Sequence, residues 1–511
     1  MFPQFNLFWR FAKAILPILA WVILLVPLSS LGQEFYVKNL ENQVNGLQFT
    51  NLITDDSNMV YFVLANKDGY WSFGGKHEEA GIFASPSNLQ PTNQAFIHLT
   101  TAEKLDYVKP MAIAQKPDSL VVFATQKLKT SQTAAAYMLV VSKKNGALRK
   151  ITLSTIDLKT KDPDKEANFT FSTHQVAGHT YYLFVRNHQA DWGLARFVDV
   201  KLFDQELGLM YADTHVFPYN SMDCEVLSAT INGLGELVFL LRLESDLGNF
   251  SYRVFVLNPA TSASFTFPLD SKTLDYTTIS IASNSNGGLL FYGAGKPKHG
   301  KTELRKLFGT LLSFDTRSII QNKVWDLDSV KLVKSNELSI RDLYPESASF
   351  VSDSVYWINC QLKKKKTSTI TDGEGKMYIQ IQYRSEDLIC VSNSSQSELN
   401  PPFSLPLRQE SRVDNDGLGV ATMAINESHY FVFNSHTKDF GLPAYEHRKV
   451  FNGNGCPVLV TYNPQLGSVQ TIWPNKQDIK LFEDLDPKNF HRSSQKSWYF
   501  ATGTRFGFIK P

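Results

Sequence analysis

The sequence predicts an all-β chain: a single β-propeller of eight four-stranded blades, with seven as the alternative count, closed into a ring by its amino-terminal strand. Three observations carry this expectation. A short aromatic and aliphatic segment recurs about every 60 residues along the chain. The stretches between its copies divide into further short strands separated by turn residues. The two ends of the chain read as complementary fragments of one blade.

The recurring segment appears as MVYFVLA from Met59, SLVVFAT from Ser119, TYYLFVR from Thr180 and ELVFLLR from Glu236. It returns as GLLFYGA from Gly288, SVYWINC from Ser354, HYFVFNS from His429 and SWYFATG from Ser497. β-Branched and aromatic residues fit a pleated, buried surface, so each copy reads as a buried strand. The unit is clearest between Cys224 and Leu269, where EVLSATI, ELVFLLRL, YRVFVLN and SFTFPL are separated by short turns. Four strands with such connections make one blade, and we label them A to D from the axis outward. Met111 to Leu153 repeats the plan, with Asn145-Gly146 as a hairpin signal between strands C and D.

Counting the recurrent strand as B gives eight blades. The irregular second half of the first repeat, YWSFGGKHEEAGIF, is what keeps seven open. After the last copy only RFGFIK remains, a third strand without a fourth, while Glu34 to Leu40 forms a strand with no blade of its own. Joining them would complete the ring and remove an exposed sheet edge. No helix of note is needed, and residues 33–511 form one domain.

Residues 1–32 have the layout of a secretory signal peptide: Arg10 and Lys13, an apolar stretch from Ala14 to Leu28, then small residues at Ser30 and Gly32. The apolar core falls short of the roughly 20 residues that span a bilayer, and Pro17 and Pro27 interrupt it. A retained anchor is the alternative. The expected compartment is extracellular, periplasmic or cell-surface. The whole chain has 51 basic and 49 acidic residues. Removing the leader takes away its two basic residues, so the remaining chain is formally neutral and generates no global field for nucleic acid. Four cysteines are too few for a disulfide scaffold. Cys360 and Cys390 fall in neighbouring strands of one blade, which allows a single bridge; buried free thiols are the other reading.

Two stretches, ISIASNSNGGLLFYGAG from Ile279 to Gly295 and ATINGLGELVFLL from Ala229, resemble the repeats of bacterial secreted β-propeller proteins. The opening NGLQFTNLITDDSNMVYFVLANKDGYWSF is similar to a single blade of the sensory propellers attached to bacterial two-component regulators. The resemblance implies a propeller fold in a bacterial envelope setting and transfers no site residue.

Motif chemistry is sparse. Gly295 to Thr302 fits the phosphate-cradling pattern GxxxxGK[ST], with Lys301 and Thr302 in the phosphate and magnesium positions. That chemistry needs a helix opening within a parallel sheet, whereas this match falls between strands B and C of a β-repeat, so no nucleotide is expected. Asp162, Asp164 and Glu166, and Asp414 to Gly417, lack the glycine and glutamate spacing of a calcium loop, so no metal or other cofactor is expected. There is no GxSxG elbow and no HExxH helix. Lys363 to Lys366 reads as a solvated loop.

Loop lengths point to a working face. In a propeller all B-to-C connections emerge on one side, and here several are long. They include KKKKTSTITDGEGK after Leu362 in the sixth blade, and they carry His188, Asp191 and Trp192 in the third, Lys298 and His299 in the fifth, and His436, Asp439, Tyr445, His447 and Arg448 in the seventh. Extended loops on a rigid scaffold are where binding residues collect, and Trp192 and Tyr445 offer stacking surfaces. The reading is a non-enzymatic monomer that binds a protein or glycan through these loops. The rivals are an extracellular glycosidase or lyase with carboxylates from separate blades, and a structural envelope component. If export removes residues 1–32, intact mass of protein from the native host will begin at Gln33; a full-length species in the membrane fraction would contradict cleavage.

Overall fold

The computed structural model describes residues 34–511 apart from 41–45, 74–79, 91–92, 103–104, 106, 129–132, 158–167, 177, 189–193, 246–249, 270–273, 299–305, 314–317, 328–342, 372–375, 395–401, 412–418, 427, 447–448, 453–454, 483–484 and 494–495. Its strands form eight four-stranded antiparallel sheets, an eight-bladed propeller. All eight recurrent segments form strand B. Blade 1 runs Gln48–Asp55, Met59–Ala65, Gly81–Pro86 and Ala95–His98. Its irregular half therefore completes a blade, which removes the seven-blade alternative. Trp71 in that stretch is fully buried and exchanges backbone hydrogen bonds with Val108 at the start of blade 2. Neighbouring A strands contact one another around the axis, and strand D lies at the rim.

Burial explains why strand B is the legible one. It is covered on both faces, so alternate residues feed different inter-blade cores. In blade 1, Tyr61 and Val63 pack with Leu120 and Val122 of blade 2. Val60, Phe62 and Leu64 face the other way, onto Tyr499, Phe506 and Phe508 of blade 8. In blade 2, Val121 and Phe123 in turn meet Tyr182 and Phe184 of blade 3. Strands buried on both faces read as continuous apolar runs, whereas the rim strand Ser264–Pro268 alternates exposed and half-buried residues.

The ring closes as the two chain ends predicted. Blade 8 takes His491–Arg492, Trp498–Thr502 and Arg505–Lys510 from the carboxyl end as strands A to C. Glu34–Asn39 supplies strand D, pairing from Glu34 with Lys510 to Asn39 with Arg505. Tyr36 stacks on Phe508 with ring centroids 5.4 Å apart, and Phe35 meets Phe482 edge-on at 5.8 Å. On the blade 1 side, the Phe506 ring lies 5.4, 5.3 and 5.1 Å from those of Phe49, Phe62 and Phe83. Gly507 is required here: a Cβ on it would fall 2.0 Å from the Tyr36 carbonyl oxygen.

Two expectations need correction. Cys360 and Cys390 do lie in adjacent strands of blade 6, Tyr356–Thr371 and Met377–Ser392, but they are not bridged. Cys390 stands opposite Asn359 and Cys360 opposite Ile389. Directly opposed residues share a face and successive residues alternate, so the two thiols point to opposite sides of the sheet. Cys390 Sγ donates to Asn359 Oδ1 at 2.6 Å instead. The second correction concerns Lys363 to Lys366, which are strand residues paired with Ser385 to Gln382, not loop.

Gly507→Ala should cost about 1–3 kcal/mol, the usual penalty for forcing atoms into a packed site, measured by urea unfolding. Deleting residues 34–40 should lower soluble yield and produce aggregates by light scattering. A deletion variant that stays monomeric and melts at the wild-type temperature would contradict the closure.

Candidate functional site

The fold separates two faces. B-to-C connections and D-to-A links emerge on one; A-to-B and C-to-D turns emerge on the other.

On the B–C face, blades 6 and 7 build one continuous structure. Strand A of blade 6 pairs with strand B only up to Leu362, and strand D pairs with strand C only up to Tyr383. Beyond that, Thr367 to Thr371 pair with Ile381 to Met377 as a two-stranded arm. At about 3.4 Å per residue the arm projects about 17 Å. At its base Lys363 pairs with Glu346, and the Lys365 ammonium sits 5.8 Å over the Tyr383 ring. Gln382 hydrogen-bonds Glu410 of strand D, Phe403–Ser411, bracing the base of the arm.

The B-to-C connection of blade 7 docks against that same strand D. Phe451 N–H donates to the Arg408 carbonyl at 2.9 Å, and Glu410 N–H donates to the Phe451 carbonyl at 2.8 Å. Two 3₁₀ turns, Thr437–Asp439 and Ala444–Glu446, hold the connection in shape. His436 Nδ1 accepts from the Lys438 N–H at 3.0 Å, and Trp473 Nε1 donates to the Leu442 carbonyl at 3.1 Å. Asp439 is buried and accepts the Lys449 N–H at 3.0 Å. Tyr445 by contrast is 64% exposed, and Met377 at the arm is 76% exposed.

The structure thus sorts the sequence-derived candidates. Tyr445 is free to contact a ligand, whereas His436 and Asp439 shape their own loop. His188 Nε2 is 3.0 Å from Asp199 Oδ2, alongside Arg186, inside blade 3. Lys298 lies 4.0 Å from Asp275 at the surface of blade 5. Asp191, Trp192, His299, His447 and Arg448 lie outside the described residues, as do both acidic stretches weighed as calcium loops. Of the described candidates, His188, Lys298 and Tyr445 belong to blades 3, 5 and 7, which are not neighbours in the ring, so they do not converge. The insertion after Leu362 was legible as a long loop but not as a paired arm, whose signal was the alternation of Thr367, Thr369 and Thr371.

On the opposite face, the axial channel opens into a cavity of about 680 Å³. Its walls come from the ends of strand A in blades 1, 2, 3 and 7 and from the start of blade 8. Two carboxylates lie there, and both are engaged. Asp55, with its side chain only 6% exposed, lies 2.6 Å from His491 Nε2 and accepts from Ser493 Oγ at 2.6 Å. Asp56 accepts the N–H groups of Asn58 and Met59 at 3.0 and 2.8 Å and faces Lys143 Nζ at 3.1 Å. Burial would raise the Asp56 pKa, but these donors outweigh it and hold the carboxyl below its ordinary value. Such a carboxyl is no general acid. Nor do Asp55, His491 and Ser493 form a nucleophilic triad, because the serine hydroxyl bonds the carboxylate rather than the imidazole.

No family model matches this chain, and no curated protein does. Solved structures do. The WD40 domain of SCAP from fission yeast is similar at 8% identity and a TM-score of 0.39, covering 93% of this chain and 98% of that one. The β-propeller domain of the Trilobed protease from Pyrococcus furiosus is similar at 10% identity and a TM-score of 0.36, covering 84% and 99%. A β-fructofuranosidase of Bombyx mori is similar at 12% identity and a TM-score of 0.26, covering 91% and 90%. At these identities no residue role carries over.

Beneath the channel wall His429 is fully buried between the Trp357 and Phe431 rings, at 4.8 and 4.6 Å, and neither ring nitrogen has a hydrogen-bond partner among the described residues. Burial, with the charge of Arg492 adding to it, pushes its pKa down to about 3. Burial likewise takes His174 to about 4. Unfolded histidines titrate near 6.5. Between there and the folded values the unfolded chain binds protons that the native state does not, so stability falls as pH drops below about 6.5. His429→Phe should therefore lose less melting temperature between pH 7 and pH 4.5 than the wild type. An unchanged loss would contradict this account of His429.

Proposed function

We propose that the protein is a non-enzymatic propeller, exported from the cytoplasm, that binds a partner protein through the braced platform of blades 6 and 7. The observation that carries this reading is the arm itself. Over Thr367 to Thr371 and Ile381 to Met377 no described strand flanks either edge. Such edges invite pairing with another chain. Exposed Met377 and Tyr445 at the same face add apolar contact of the kind that anchors protein interfaces. Interfaces gain from preorganisation, and the bonds from Phe451 to Arg408 and Glu410 hold the two insertions together before any partner arrives. The engaged carboxylates at the channel mouth weigh against the glycosidase alternative, which requires one carboxylic acid kept protonated beside a second, ionised one.

The test uses a photocrosslinking phenylalanine analogue in place of Met377, Tyr445 or Leu466, with the protein expressed in its native host. Leu466 is 76% exposed, as Met377 is, but lies in a C–D turn on the other face. Discrete crosslinked products at 377 and 445 and none at 466 are expected. The double variant Met377→Ser, Tyr445→Ala should bind the partner so identified at least tenfold more weakly, with stability changed by less than about 1 kcal/mol. Equal crosslinking on both faces, or undiminished affinity, would overturn the reading.

A further inference from the structure

The channel mouth on the A–B face contains two cations that the fold does not use. Arg492 in strand A of blade 8 lines the cavity, and its guanidinium has no hydrogen-bond or ion-pair partner among the described residues. The same holds for the ammonium of Lys496, in the turn that follows. Both side chains reach solvent in the cavity, although surrounding protein holds the Arg492 pKa below its ordinary value. Leaving a partly desolvated guanidinium unpaired is costly, and the cost is recovered when an anion arrives. The rest of the wall is polar and uncharged to a large degree: Thr54, Gln115, Thr173, Gln175 and Thr180 present hydroxyl and amide groups that both donate and accept. A volume of about 680 Å³ lies within the range of small-ligand pockets.

We propose that this mouth is a binding site for a sugar acid, with Arg492 and Lys496 holding the carboxylate and the threonine and glutamine side chains holding the hydroxyls. The choice of anion follows from the wall. A guanidinium fork matches a carboxylate with two parallel hydrogen bonds. Asp55 and Asp56 also line the cavity, and their negative charge opposes a multiply charged ion such as phosphate more strongly than a single carboxylate. A neutral sugar would leave both cations unpaired. A carboxylate on a polyhydroxylated ring meets all three conditions. The site lies on the face opposite the blade 6 and 7 platform, so it stands or falls independently of the protein-binding reading.

Titration calorimetry on the protein purified from its host tests this with glucuronate, a tri-uronate oligosaccharide, glucose and inorganic phosphate as separate probes. Uronate binding is expected, with glucose and phosphate at least tenfold weaker. A tighter trisaccharide assigns the site to polysaccharide ends, and equal affinities assign it to the free sugar acid; both support the site. Arg492→Gln should weaken uronate binding at least tenfold. Lys496 adopts φ +61°, a conformation that glycine takes without strain, so Lys496→Gly should melt no lower than wild type and still bind at least tenfold more weakly. That variant separates ligand contact from folding should Arg492→Gln prove unstable. Lys438→Gln on the other face should bind as wild type does. The proposal is overturned by the absence of uronate binding, by phosphate binding as tightly, or by undiminished affinity in Lys496→Gly.

Discussion

The structure depends on strands that are apolar on both faces. Val60, Phe62 and Leu64 pack against blade 8 while Tyr61 and Val63, interleaved with them, pack against blade 2. No blade can bury such a strand alone, since a sheet has two faces and each needs a neighbour. Fully burying one such side chain is worth about 1.5–3 kcal/mol. Exposing Val60, Phe62, Leu64 and Phe506 at a single seam would therefore consume a free energy comparable with the roughly 5–15 kcal/mol that holds a whole domain folded. The ring must close, and it closes where the chain begins and ends, with Glu34–Asn39 beside Arg505–Lys510. Chain connectivity alone would leave that seam to packing; strand exchange adds a ladder of backbone hydrogen bonds across it.

Closure also segregates function. With strands B and C consumed by packing, chemistry is confined to the two ends of the ring. On one end the B-to-C insertions of blades 6 and 7 brace each other through Phe451 and strand D of blade 6. On the other, the ends of the A strands surround a polar mouth in which Asp55 and Asp56 are engaged and Arg492 and Lys496 are not. The first surface is extended and partly apolar, and the second is concave and hydrophilic. They suit ligands of different size.

Blade count, strand order and closure were legible because they follow from a continuous apolar run repeated eight times, and from ends that fail to make whole blades. The thiols of Cys360 and Cys390 were legible as neighbours but not as opposed, since a register offset of one residue reverses the face and cannot be read from spacing. Lys363 to Lys366 misled because four lysines suggest solvent, whereas their partners Ser385 to Gln382 hold them in a ladder. The candidate site was the least legible. Asp55, His491 and Ser493 come together only because the ring brings blade 8 against blade 1, across nearly the full length of the chain. His436 and Asp439 drew notice as polar loop residues, yet their bonds to the Lys438 and Lys449 N–H groups give them structural work.

Hydrogen exchange of the native protein measures the closure most directly. The amides of Glu34–Asn39 that bond the backbone of Arg505–Lys510 should exchange as slowly as their partners across that ladder, because both are released only when the ring opens, while the outward-facing amides of this edge strand exchange freely. Exchange of all the Glu34–Asn39 amides within seconds, while Arg505–Lys510 remains protected, would contradict it.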